Sequence, residues 1–146
     1  MKWTHWRPIE EKCSHRNAAV YKIALLKSLE SFEPIVIPRF LGEDKEGILT
    51  IGETTQMEKR RSQFKNATGH SAGILWFRLM QYTRLRQRFP DPVLAYCYSV
   101  VEDKGQAELL ENRLIKEYVT NYGEAPPLNS SIPGRDNHEE WARLKG

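Results

Sequence analysis

The chain has 146 residues, 40% hydrophobic and 28% charged, with a net charge of +3. That length suits one domain with a real core, and the composition excludes disordered and fibrous chains. No apolar run reaches the roughly 18 residues of a membrane span, and MKWTHWRPIEEKCSHRN lacks the apolar centre of a signal peptide, so a soluble, cytoplasmic protein with no membrane partner is expected.

Residues 1–17 read as an N-terminal extension, packed onto the domain by Trp3 and Trp6. AAVYKIALL, Ala18 to Leu26, is an apolar run of strand type, although periodicity alone leaves a helix open. Pro34 and Pro38 interrupt the next stretch, SFEPIVIPRFLGEDKEG, which reads as an irregular connection with room for an edge strand. GILTIGE, Gly47 to Glu53, is the second strand. Thr55 and Glu58 have the spacing of a capping box, so a helix is expected from about Gln56 to a stop at Gly69. ILWFRLMQYTRLRQRF, between Gly73 and Pro90, reads as one helix, apolar first and basic after, with Gln81, Arg84 and Arg88 on one face. VLAYCYSVV, Val93 to Val101, has the β-branched and aromatic content of a strand. Asp103 with Gln106 then caps a last long helix that stops at Gly123. This order predicts an α+β domain over residues 18–130, built on a small mixed sheet. A polar tail, residues 131–146, is expected to be marginally ordered.

Cys13 and Cys97 are far apart and form no CxxC pair, which argues against a disulfide framework or a thiolate zinc site. The charge is unevenly placed. From Lys59 to Arg88 there are eight basic residues, Lys59, Arg60, Arg61, Lys65, Arg78, Arg84, Arg86 and Arg88, and no acid. A polyanion, most simply nucleic acid, would match that block; a solvated basic face is the plainer alternative.

Glu111, within LLENRLIKEY, is out of place. At about 100° per residue, Ala107, Leu114, Ile115 and Tyr118 fall within about 60° of it, so a carboxylate sits mid-stripe among apolar side chains. It must be paired with an arginine, protonated or bound to a cation. Arg60 and Arg61, in the first turns of a helix that follows a glycine-containing strand, either hold a phosphate or divide into one exposed and one core-edge residue. His70 is either a loop residue or a proton-transfer or phosphate group. His5, His15 and His138 read as surface residues. Trp76 and Phe77 either stack on bases or pack in the core.

Together these residues resemble the GIY-YIG nuclease superfamily. Ala19-Val20-Tyr21 stands for the first motif and Thr50-Ile51-Gly52 for the second. Arg60 follows Gly52 by eight residues, Glu111 opens Glu-Asn-Arg-Leu-Ile-Lys, and Asn129 closes Pro-Pro-Leu-Asn. His70 stands ten residues past Arg60, where several phage members carry a histidine. The likeness spans Ala19 to Asn129. It implies a three-stranded antiparallel sheet flanked by helices, and a metal-dependent endonuclease that hydrolyses phosphodiester bonds, with DNA favoured over RNA. One divalent ion, Mg or Mn, would be held by Glu111. Tyr21, Arg60, His70 and Glu111 would be catalytic, while Thr50, Gly52, Arg61, Lys65, Arg84, Arg88 and Asn129 would bind substrate. Three departures stand out, one being the unusually long connection between the two motifs, from Leu26 to about Gly47, with room for a lid or an extra substrate contact. Ala19 replaces the first glycine, and Thr50 replaces the second tyrosine with a shorter, far less acidic hydroxyl. A nucleic-acid-binding module or an interaction protein with a degenerate nuclease site is the alternative.

Overall fold

The computed structural model describes residues 1–133; the tail from residue 134 on, and with it His138, lies outside the described residues. The chain folds as α+β. A four-stranded antiparallel sheet has the order β1 (Arg7–Pro8), β6 (Val93–Val100), β2 (Ala19–Leu26), β5 (Ile48–Thr54). A separate hairpin joins β3 (Ile37–Arg39) to β4 (Gly42–Asp44). The helices are α1 (Met57–Asn66), α2 (Ser71–Tyr82), the single turn α3 (Leu85–Arg88) and α4 (Lys104–Tyr122). None is long and apolar enough to cross a membrane.

β2 is an inner strand of the sheet and apolar apart from Lys22. All of its residues except Lys22 are buried, the pattern of a strand covered on both faces. One face carries Tyr21, Ile23 and Leu25, packed with Tyr96 and Tyr98 of β6, Phe64 of α1 and Ala72 of α2. On the other face, Ala24, Ile48 and Ile51 meet Ile115 and Tyr118 of α4. Between Ile23 and Ala24 the β2–β5 register shifts, leaving Leu49 as the extra residue of a bulge.

The expected three strands are present, with three additions. Arg7–Pro8 pairs with Tyr96 and Ala95, and Trp3 bridges Ser99, so the N-terminal segment lengthens the sheet. The connection 27–46 holds the β3–β4 hairpin. It is fixed by buried Asp44, whose carboxylate accepts from the N–H groups of Glu46 (2.9 Å) and Ile48 (3.0 Å) and from the Tyr118 hydroxyl (2.8 Å).

The helix ends differ in how closely they follow the sequence. α4 begins and ends as expected: Gln106 N–H donates to Asp103 at 2.8 Å, and Gly123 takes the left-handed conformation. α1 has no capping box. Thr54 rather than Thr55 accepts from Gln56 N–H (2.9 Å), while Glu58 is drawn to Arg61 and the Cys13 N–H. α1 also stops three residues before Gly69, with Ala67 left-handed at its C-cap. The single helix expected between Gly73 and Pro90 is broken at Thr83. Its hydroxyl donates to the Leu79 carbonyl (2.6 Å) and accepts from Leu85 N–H (3.1 Å), ending one helix and starting the next turn.

Candidate active site

Tyr21 and Gly52 lie directly opposite each other on β2 and β5. A Cβ at position 52 would stand 2.2 Å from the Tyr21 hydroxyl and 2.3 Å from its Cζ, so the phenol lies across the glycine and only a residue without a side chain fits. Beyond the glycine, the Tyr21 hydroxyl meets His70 Nε2 at 2.8 Å. His70 is the N-cap of α2, its Nδ1 accepting a long 3.5 Å bond from Gly73 N–H. With Nδ1 as acceptor, Nε2 carries the proton and donates to Tyr21. A Cβ on Gly73 would press within 2.8 Å of the Phe64 carbonyl, so this second glycine lets α2 cross α1 closely enough to deliver His70.

Arg60 enters from α1, the helix that follows β5. Its Nη1 donates to the Gly69 carbonyl (3.0 Å) and to Gln63 (3.2 Å), and its buried Nε has no partner among the described residues. Two anchors thus fix the guanidinium, and donor capacity is left over. Its charge acts on Tyr21 and His70 together. Burial pushes the Tyr21 phenol up to about 12 while Arg60 pulls it back in part. Burial, and then Arg60, hold His70 down to about 4, so the imidazole is neutral at neutral pH.

Glu111 stands on α4, which covers the other face of the sheet, near enough for its charge to raise the Tyr21 phenol and for Arg60 to act on its carboxyl. It is half-buried on the stripe of Ala107, Ile115 and Tyr118, all three buried. No salt bridge partners it among the described residues. Burial first, then the Glu53 charge, push its carboxyl up to about 7; Glu108 adds to this, while the Glu53 N–H and Arg60 oppose it. Glu53, raised by its own burial and by Glu108, follows Gly52 in β5 and pairs with Val20. By strand alternation it lies on the α4 side, and Glu108 is one helical turn before Glu111. Those two spacings were the available sequence signals for both residues. Among the described residues, no group of three His, Cys, Asp or Glu side chains is placed to enclose an ion. Beside the carboxylates, Glu53, Lys59, Arg60, Gln63 and Lys104 line a cleft of about 330 Å³.

The other residues expected to bind substrate are not brought here. Arg61 is one: only 5% exposed, it forms a two-pronged pair with Glu58 (2.6 and 2.9 Å) and donates to the Ile9 carbonyl (2.5 Å), tying the N-terminal segment to α1. Asn129 is another. Its carboxamide accepts from Ile51 N–H (3.0 Å) and donates to Ile51 C=O (2.9 Å), closing the free edge of β5 as a further strand would. Thr50 pairs with Ile23 and is buried in the sheet, with no bond to Tyr21, His70 or Arg60 among the described residues. Lys65 is exposed but about 140° around α1 from Arg60. Arg84 and Arg88 are exposed, on α3 and its N-cap rather than on one continuous helix with Gln81. Of the two aromatic residues left open, Trp76 packs against the core and Phe77 is outside. Compared with known proteins, the chain matches no family model, no curated protein and no solved structure.

Proposed function

We propose that the protein is a metal-dependent endonuclease of the GIY-YIG type, hydrolysing phosphodiester bonds in nucleic acid, DNA before RNA. The observation that carries this reading is the hydrogen bond from His70 to Tyr21 across Gly52, with Arg60 of α1 and Glu111 of α4 near enough for their charges to act on the same phenol. A carboxylate in no salt bridge among the described residues, raised by burial and by like charge, fits a hard divalent ion. Such ions take oxygen ligands, keep several waters and need few protein carboxylates. Glu111 would hold the ion, which when bound supplies Lewis-acid charge at the phosphodiester. Arg60, fixed by Gln63 and Gly69, presents its remaining N–H groups to a phosphate oxygen and stabilises the charge that grows there. Tyr21, oriented by the Nε2 proton of neutral His70, keeps its own O–H free to position the attacking water. The free thiols of Cys13 and Cys97 agree with the cytoplasmic compartment in which such an enzyme would work.

Plasmid DNA incubated with the protein and Mg²⁺ or Mn²⁺ is expected to be nicked. Glu111→Gln and Arg60→Ala should each lower the rate by about a hundredfold or more, the usual cost of losing an electrostatic group of this kind. Equal cleavage by wild type and Glu111→Gln would end the proposal. One observation favours a second reading, a nucleic-acid-binding module without catalysis: the family's second phenol is replaced by buried Thr50. That reading predicts salt-sensitive binding and no cleavage with either ion.

A further inference from the structure

α2 has two apolar sides, and only one of them is used by the core. Trp76 and Leu79 pack inward, whereas Ile74, Leu75, Phe77 and Tyr82 are 39%, 40%, 52% and 71% exposed. At about 100° per residue, Ile74, Leu75, Gln81 and Tyr82 fall within about 60° of Arg78 and Phe77 within about 100°, which makes one continuous outer face. That face starts at the candidate site, because Ile74 N–H donates to the carbonyl of His70 (2.9 Å), the residue that holds Tyr21. Arg78 stiffens it: its guanidinium carbon stands 5.8 Å from the Tyr82 ring centre, and its Nη1 donates to the Tyr82 hydroxyl (3.2 Å). Arg84, Arg86 and Arg88 continue the basic surface past Thr83, all exposed. None of these four arginines meets a carboxylate among the described residues.

Charge and apolar area together select the occupant. The run Lys59 to Arg88 holds no acid, and its cations other than Arg61, which is paired with Glu58, repel a basic partner and attract a polyanion. A duplex presents phosphates to such a surface and gives Phe77 and Tyr82 nothing apolar to cover. Unpaired bases supply both, a charged backbone for the arginines and flat faces for the rings. We propose that the outer face of α2, with the arginines of α3, binds single-stranded bases next to the scissile phosphate, so that the substrate is nucleic acid carrying an unpaired segment. From Ile74 to Tyr82 the platform runs about 12 Å, room for only a few bases.

The inference rests on the nucleic-acid part of the function proposed above, and its test separates it from the chemistry. Binding is measured by fluorescence anisotropy in the Glu111→Gln protein without divalent ions, using a labelled short DNA strand, the same strand in a duplex, and that duplex with a single-stranded overhang. The strand and the overhang are expected to bind about tenfold or more tightly than the duplex. Phe77→Ala combined with Tyr82→Ala should abolish that preference while duplex affinity stays within about threefold, since the arginines remain. A 2-aminopurine in the unpaired segment should lose fluorescence on binding to the Phe77/Tyr82 protein and not to the double variant. Equal affinity for strand and duplex, an unchanged preference in the double variant, or no binding of nucleic acid would each overturn the proposal. So would a wild-type dimer that the double variant dissolves with no change in DNA affinity. Cleavage failing while the preference holds would remove the nuclease reading and leave this one standing.

Discussion

Position 52 is where one missing side chain decides the site. A Cβ there would come within 2.2 Å of the Tyr21 hydroxyl, so Gly52→Ala must move either the ring or the strand, at a cost of about 1–3 kcal/mol for overpacking a buried position. In a Tyr21→Ala background the ring is gone and the same substitution should be nearly neutral, so the double-mutant cycle should return a coupling of similar size. Additive destabilisation, read from urea melts, would show that Gly52 is required for some other reason. Glu111 gives a second test, in pH. Its carboxyl is pushed from 4.5 up to about 7, so between those values the folded chain keeps a proton that the unfolded chain has lost, and stability falls as pH rises through that window. His70, lowered from 6.5 to about 4, acts in the opposite sense, its contribution being complete above about 6.5 and lost as pH falls toward 4. The two cancel in part in the wild type. Glu111→Gln removes one of them, so its stability advantage over wild type should grow from about pH 4.5 to 7 and then level off, while Mg²⁺ at pH 8 raises the wild-type melting temperature alone. A difference that stays flat with pH would contradict the burial of this carboxylate. Much of this site could be read from the sequence, because an apolar stripe exposes a misplaced glutamate. Glu53 was marked only by its place next to Gly52, since a carboxylate at the end of a strand breaks no pattern until α4 is laid beside it.

At the level of elements, the strands and α4 were legible because their signals are local: a continuous apolar run, β-branched content, an Asp cap and a terminal glycine. The elements that differed depend on longer-range partners. Glu58 has the spacing of a capping residue, but a buried arginine on its own helix and the N–H of Cys13 hold it instead. Thr83 carries the two-sided hydrogen bond that breaks the basic helix, a threonine inside an otherwise unbroken helical pattern. Asn129 shows how a motif position can serve the fold. Both ends of its carboxamide pair with Ile51, and Leu128 N–H donates to Leu49 C=O (2.8 Å), so the segment after α4 covers the edge of β5 next to Gly52. Asn129→Ala is therefore expected to cost about 1–3 kcal/mol, two modest hydrogen bonds at a partly buried edge, and to lower the melting temperature with DNA affinity unchanged. A variant of wild-type stability with weakened DNA binding would return Asn129 to the substrate.

For the whole molecule, the question is what the N-terminal segment contributes, since it read as an extension and supplies no residue to the site. It is built into the domain at three points. Arg7–Pro8 covers the outer edge of β6, Ile9 and Cys13 enter the core, and the Ile9 carbonyl and Cys13 N–H complete the Arg61–Glu58 pair. Removing residues 1–13 would forfeit roughly 1.5–3 kcal/mol for the burial of Ile9. It would also leave the buried Arg61 short of an acceptor, roughly another 1–3 kcal/mol. Small domains have a total stability of about 5–15 kcal/mol, so the truncated chain should melt far lower and tend to associate through the bared edge of β6. Because α1 carries both Arg61 and Arg60, partial loosening of that helix should reach the site before the sheet melts. Ile9→Ala, which leaves the backbone carbonyl in place, separates these effects: it should lower stability and spare the cleavage proposed above at temperatures where the protein is folded. If the truncated chain instead melted with the full-length protein, the segment would be an appendage, and the rigidity of Arg60 would have to come from Gln63 and Gly69 alone.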